Sequence, residues 1–180
     1  MRATRFPLLL LVLAFASSSL AQAPAGQRLE QDQAKAIAAL KKLGARIRLD
    51  DDGQPIEVNL QETATGNAGL VHLAGLTTVK EISLHQTKVT DKGLVHLKGL
   101  VNLERLFLSD TQTADDGLMH LAGLQKLKVL GLSGTRVSDK GLMHLEKLKQ
   151  LESLFLIRAP VTDAGVEKLQ RALPKCDIVH

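Results

Sequence analysis

The stretch V-N-L-E-R-L-F-L-S-D-T-Q-T-A-D-D-G-L-M-H-L-A-G-L, Val101–Leu124, decides the fold because the chain keeps returning to it. Its last eight residues appear as G-L-V-H-L-A-G-L at Gly69–Leu76, G-L-V-H-L-K-G-L at Gly93–Leu100 and G-L-M-H-L-E-K-L at Gly141–Leu148, and a worn copy starts at Gly165. The leading glycines recur every 24 residues. A fixed period in this range marks a solenoid, in which each unit is too small to bury its own apolar face and is stabilised by stacking on its neighbours. A repeated surface of this kind favours binding over reaction in one converging pocket.

Two periods follow each other inside one unit. Leu103-x-x-Leu106-x-Leu108 alternates like a strand, and the same frame holds Val79/Ile82/Leu84, Leu127/Leu130/Leu132 and Leu151/Leu154/Leu156. Leu118, Leu121 and Leu124 are then spaced to line one side of a short helix, as are Leu94/Leu97/Leu100 and Leu142/Leu145/Leu148. Val89-Thr90-Asp91 recurs between the two as Val137-Ser138-Asp139 and Val161-Thr162-Asp163. The valine returns the chain to the core, and the hydroxyl residue with the following Asp is expected to supply an oxygen to the free N–H groups at the helix start. Gly75, Gly99 and Gly123 fall where each helix must stop and suit a left-handed cap.

The pattern L-x-x-L-x-L-x-x-T-x-V-T-D-x-G-L-x-H-L-x-G-L resembles a leucine-rich repeat. It is similar to the cysteine-containing subclass typical of F-box proteins and to units of secreted bacterial leucine-rich repeat proteins. The resemblance covers about 55–179 and implies an α/β solenoid, an arc or horseshoe with a parallel sheet on the concave face and short helices on the convex face. It also implies protein recognition. Thr63, Thr87, Thr111 and Thr135 stand where that subclass has Cys, and a buried hydroxyl ladder to backbone groups is expected there.

The ends must cover an open solenoid. Arg28–Leu43 reads as a helix with Ile37, Leu40 and Leu43 on one face, ended by Gly44. Segments 45–49 and 54–60 flank Asp51-Asp52-Gly53, a hairpin turn rather than a calcium loop, whose further acidic ligands are missing. At the far end Leu173-Pro174 stops the last helix and Cys176–Val179 begins a closing strand, with Cys176 a packing residue rather than a reactive thiol.

Residues 1–23 read as a secretory signal peptide: Arg2 and Arg5, an apolar run Phe6–Ala16, and the small-x-small site Ala21-Gln22-Ala23. The run stops at Ser17-Ser18-Ser19, short of the ~20 residues of a membrane span. The chain divides into 1–23 signal peptide, 24–54 linker and cap, and 55–180 repeats with a C-terminal cap. Location outside the cytoplasm follows: secreted, periplasmic or in the cell envelope. The chain carries 23 Lys and Arg against 19 Asp and Glu, interleaved, so no nucleic-acid partner is expected. With a single cysteine there is no internal disulfide, and stability must come from stacked apolar layers.

His72, His96, His120 and His144 invite a zinc reading. Each should point sideways toward one neighbouring helix, so no three converge on one ion, and stacking with local hydrogen bonds is expected instead. No nucleophile elbow, phosphate loop or dinucleotide fingerprint is present, so neither catalytic residues, cofactor nor metal is assigned.

The residues between the inward leucines face the open side of the sheet. In register they form one column of Glu57, Glu81, Arg105, Val129 and Ser153, and a central one of Asn59, Ser83, Phe107, Gly131 and Phe155. A third holds Gln61, His85, Ser109, Ser133 and Ile157, and a flanking one Glu62, Gln86, Asp110, Gly134 and Arg158. Phe107 and Phe155 are the only aromatics after the leader and flank Gly131 at ~10 Å, predicting a shallow slot with glycine as its floor. Phe107, Val129, Gly131, Phe155 and Ile157, with Arg105 and Arg158 from the adjacent columns, are the expected partner-binding residues. The function expected is a secreted, non-catalytic module, a monomer binding a protein or peptide through its concave face. The alternative is a structural or self-associating cell-envelope component, and a ligase adaptor is a more distant third.

Overall fold

The computed structural model describes residues 25–180, so the leader expected at 1–23 lies outside the described residues. Helix α1 (Ala25–Lys42) starts before the predicted Arg28 and leads into a hairpin of β1 (Arg46–Leu49) and β2 (Pro55–Asn59). Both turns use a left-handed glycine, Gly44 with φ 92° and Gly53 with φ 77°. Leu40 is buried, and Leu43 lies against Gly69 of the first repeat, where a Cβ would meet its Cδ1 at 2.9 Å. Helix and hairpin thus close the first repeat as expected.

From β2 onward the strands run parallel: β3 (Glu81–Ser83), β4 (Arg105–Phe107), β5 (Val129–Gly131), β6 (Ser153–Phe155) and β7 (Asp177–Val179). The seven strands follow chain order in one open sheet, with β1 antiparallel at its edge. Register steps by one repeat, stacking Val58, Ile82, Leu106, Leu130, Leu154 and Ile178 in a single inward row. Leu103, Leu106 and Leu108 from the strand segment meet Leu118, Leu121 and Leu124 from the helix segment, all fully buried. Each such leucine contributes roughly 1.5–3 kcal/mol by leaving water.

The helices are α2 (Asn67–Leu70), α3 (Asp91–Leu94), α4 (Asp115–Leu118), α5 (Asp139–Leu142) and α6 (Asp163–Ala172). Each of α2 to α5 runs into one tighter 3₁₀ turn, such as Val95–Leu97 after α3. Leucines three apart face one side at 3.0 residues per turn better than at 3.6, which accounts for the change. The last repeat spaces Val166, Leu169 and Leu173 by three and four, and there the α-helix continues for 10 residues.

Two local expectations are corrected. Gly75, Gly99 and Gly123 are not left-handed; the positive-φ glycines are Gly44, Gly53 and Gly134. The helix running into a 3₁₀ turn winds out in ordinary conformation, so no left-handed cap is required. The Asp that opens each helix does not serve its own helix. Asp91 Oδ1 accepts from the Ala114 N–H at 2.7 Å, Asp115 from Ser138 at 2.7 Å and Asp139 from Thr162 at 2.8 Å, each one repeat onward. Asn67 does the same for Thr90 at 2.9 Å. The threonine hydroxyls reach backbone groups as expected, each within its own turn: Thr87, Thr111 and Thr135 donate to the carbonyls of Leu84, Leu108 and Leu132 at 2.6–2.7 Å.

Candidate functional site

The open face carries the four columns in the expected register, Glu57–Glu81–Arg105–Val129–Ser153 and Asn59–Ser83–Phe107–Gly131–Phe155. Charges on it are largely matched. Arg105 Nε donates to Glu81 at 2.6 Å, and Arg48 from β1 donates to Glu57 at 2.7 Å. Arg158 reaches across two repeats to Asp110 at 3.0 Å. That crossing depends on Gly134, whose missing Cβ would stand against the Asp110 carboxylate and 3.3 Å from the Arg158 guanidinium. The flanking column is left-handed throughout: Glu62, Gln86, Asp110, Gly134 and Arg158 all have φ between 53° and 66°.

The seven residues assigned to partner binding lie on this one face, but not as a slot floored by glycine. Phe155 is 36% and Ile157 47% exposed, whereas Phe107 is half-buried and Gly131 buried. The Phe107 ring leans over Gly131, its Cδ1 only 3.2 Å from where a Cβ would stand. The unfilled glycine position attracts the neighbouring ring, because a gap beside an apolar surface forfeits dispersion contacts.

Depth lies on the other side of Phe107. A hollow of about 350 Å³ opens over Ser83, between Asn59 and Phe107. Gln61, His85 and Ser109 border it, and Glu81 is its one carboxylate. Ser83 is 7% exposed, and its hydroxyl makes no hydrogen bond among the described residues but stays reachable by solvent. His85 Nδ1 lies 3.1 Å from the Ser109 carbonyl and 3.8 Å from Asp110. The columns contained this hollow, and its one sequence signal is a small serine between an asparagine and a phenylalanine.

The remaining chemistry-bearing residues do not converge. The four repeat histidines are half-buried and, contrary to expectation, none of their imidazoles makes a hydrogen bond among the described residues. No group of three or more His, Cys, Asp or Glu suited to a metal occurs among the described residues. Cys176 is buried, and burial, then the nearby Asp177 charge, pushes its thiol up to about 11, the inert packing role expected. On the edge of the face, the Lys128 hydrogen bond holds Glu104 below the usual carboxylate range and raises Lys128 in return. Among the described residues no helix is long and apolar enough to cross a membrane.

No protein-family model matches the chain. No curated protein sequence matches it either. Solved structures do. Internalin C2 of Listeria monocytogenes is 21% identical over 91% of this chain and 89% of its own, with TM-score 0.51. The Arabidopsis receptor kinase HAESA ectodomain, solved with an N-terminally extended IDA peptide hormone, is 18% identical over 80% of this chain, with TM-score 0.56. A plant ice-binding protein is 18% identical over 75% of this chain, with TM-score 0.54. This chain spans 28% of the HAESA ectodomain and 49% of the ice-binding protein. At these identities the likeness is one of architecture, and the chain has the leucine-rich repeat fold.

Proposed function

We propose that the chain is a non-catalytic module that binds a protein or peptide through the concave, strand-lined face of its repeats. The observation that carries this reading is the pair Phe155 and Ile157, exposed on the sheet while the inward strand residues of the same repeat, Leu154 and Leu156, are buried. Apolar side chains beside a polar rim of paired charges are the composition of an interface centre. Val129, Phe107 and Gly131 continue that surface, and Arg105 and Arg158 form part of its rim, each restrained by a carboxylate. The HAESA structure with its peptide hormone lends the fold-level analogy. The signal-peptide pattern read in residues 1–23 supports a location outside the cytoplasm, and on that reading the mature protein recovered from its native host should begin at Pro24.

A displayed library of random peptides, panned on the purified protein, tests the reading. Clones that bind should lose thirtyfold or more in affinity for Phe155→Ala, since truncating an interface aromatic costs about 2 kcal/mol or more. The thermal midpoint of that variant should stay near the parent's, because its side chain is not core. A large loss of stability with unchanged peptide affinity would make Phe155 a structural residue and defeat the proposal.

A second reading, self-association in the cell envelope, draws on a different feature. Val71, Val95, Met119 and Met143 form an exposed apolar row along the helical side, one per repeat. Light scattering across a concentration series separates the two: a monomer throughout supports the first.

A further inference from the structure

We propose that the hollow over Ser83 is a polar specificity pocket for the bound segment, and that it takes an uncharged hydrogen-bonding side chain four residues from the apolar residue seated on Phe155 and Ile157. This inference rests on the peptide-binding reading above and adds the pattern that the partner must carry.

Unused hydrogen-bonding capacity comes first. Ser83 is 7% exposed and lines the hollow, and its hydroxyl, open to solvent there, has no hydrogen-bond partner among the described residues. An apolar side chain filling the hollow would strip water from this hydroxyl and leave it unpaired, whereas a polar group takes the water's place. Around it the Gln61 amide and the Ser109 hydroxyl are likewise free of side-chain hydrogen bonds among the described residues, while Asn59 uses only its oxygen, accepting from the Gln61 N–H at 3.0 Å. Serine and amide groups both donate and accept, so the matching ligand group does both as well: an amide or a hydroxyl.

Charge comes second. The hollow's single carboxylate, Glu81, is already held by Arg105 at 2.6 Å. A cationic side chain would have to displace Arg105, and an anionic one would meet Glu81 at close range. A neutral polar side chain pays neither cost, and Phe107 on the wall packs against its methylenes.

Spacing comes third. Ser83 and Phe155 lie in one register row, three strands apart, which is ~14 Å at the usual strand separation. An extended chain advances ~3.3 Å per residue and returns to the same side every second residue, so residues i and i+4 point the same way ~13 Å apart. Such a chain crossing the strands sets residue i in the hollow and residue i+4 on Phe155 and Ile157. Residue i+2 then passes over Phe107 where its ring covers Gly131.

The test uses the random-peptide display library on the full protein. Enriched peptides should share Asn, Gln, Ser or Thr four positions from Leu, Ile, Val, Met or Phe. Ser83→Leu, which fills the hollow and removes the hydroxyl, should lower the affinity of a synthetic enriched peptide at least tenfold. Changing the peptide's polar residue to Ala should lower it similarly for the parent but by less than twofold for Ser83→Leu. Should Ser83→Leu fail to fold by circular dichroism, Gln61→Ala and Ser109→Ala replace it, with a several-fold loss expected for each. Enrichment of peptides sensitive to Phe155→Ala but indifferent to every hollow variant overturns this inference alone. Enrichment of a charged residue at the polar position also overturns it. Failure to enrich any peptide sensitive to Phe155→Ala overturns the binding reading beneath it.

Discussion

Two glycines six residues apart in one repeat do opposite things. A Cβ on Gly117 would stand 2.5 Å from Asp91 Oδ1 and 2.9 Å from Leu94 Cδ1, atoms of the preceding repeat. Around Gly123 there is nothing within 4 Å, and the equivalent residue of the next repeat is Lys147. Gly117→Ala should therefore destabilise by about 1–3 kcal/mol, as overpacking of close-fitted elements does. Gly123→Ala should be neutral or stabilise by about 0.4–1 kcal/mol, because it restrains the unfolded chain at a conformation alanine accepts. Urea denaturation of the two variants checks the contrast, and equal effects would place the repeat boundary wrongly. The recurrence of both glycines is plain in the sequence. Which of them is sterically obligatory is not, because the obstacle belongs to a residue 26 positions earlier in the chain.

The helix-start segments are tied to one another as well as to the sheet. Backbone pairs link 66 to 88, 90 to 112 and 114 to 136, and the Asn or Asp side chain adds a bond from each repeat to the next. In the last of these, two hydrogen bonds from Thr162 hold the Asp139 carboxyl below its ordinary value. A group whose folded pKa is depressed stabilises fully above its unfolded value and loses that contribution as pH falls through the folded one. Asp139 thus supports the fold fully at neutral pH, begins to lose that support near its unfolded value of about pH 4, and loses it as pH falls further through the depressed folded one. Asp139→Asn should melt close to the parent at pH 7, since Asn67 fills the same role in the first repeat, donating to the Thr90 hydroxyl at 2.8 Å. Between pH 5 and pH 3 the stability of the variant should fall less than that of the parent. Thermal melts across that range measure the difference. Thr-Asp before a helix resembles an ordinary capping pair, so sequence alone directs the carboxylate to its own helix. The stacking distance between repeats redirects it.

Across the whole chain, stability is a sum over stacked layers, so damage in the middle should cost most. Leu130 is fully buried in β5, with Leu106 beside it on one side and Leu154 on the other. Leu130→Ala should cost about 2–5 kcal/mol and lower the urea midpoint accordingly. A midpoint within error of the parent's would contradict the inward row. The two ends are treated differently: β1 turns back antiparallel to cover the first strand, whereas β7 stands in the same parallel register as the rest.

The 24-residue recurrence dictated the repeat, the direction of its leucines and the register of the columns, because each is a local pattern multiplied by an in-register stack, while the helix-hairpin cap was legible from the apolar face of its helix and its Asp-Gly turn. Side-chain volumes then settled the shape of the open face. Phe107 could lean toward either neighbour in its row, and the empty position at Gly131 drew its ring, closing the expected slot and leaving depth over Ser83. Arg158 likewise pairs with Asp110 only because Gly134 leaves the way clear between them. Such contacts join residues 24 or 48 positions apart through the free volume between strands, a quantity that exists only once the repeats have stacked.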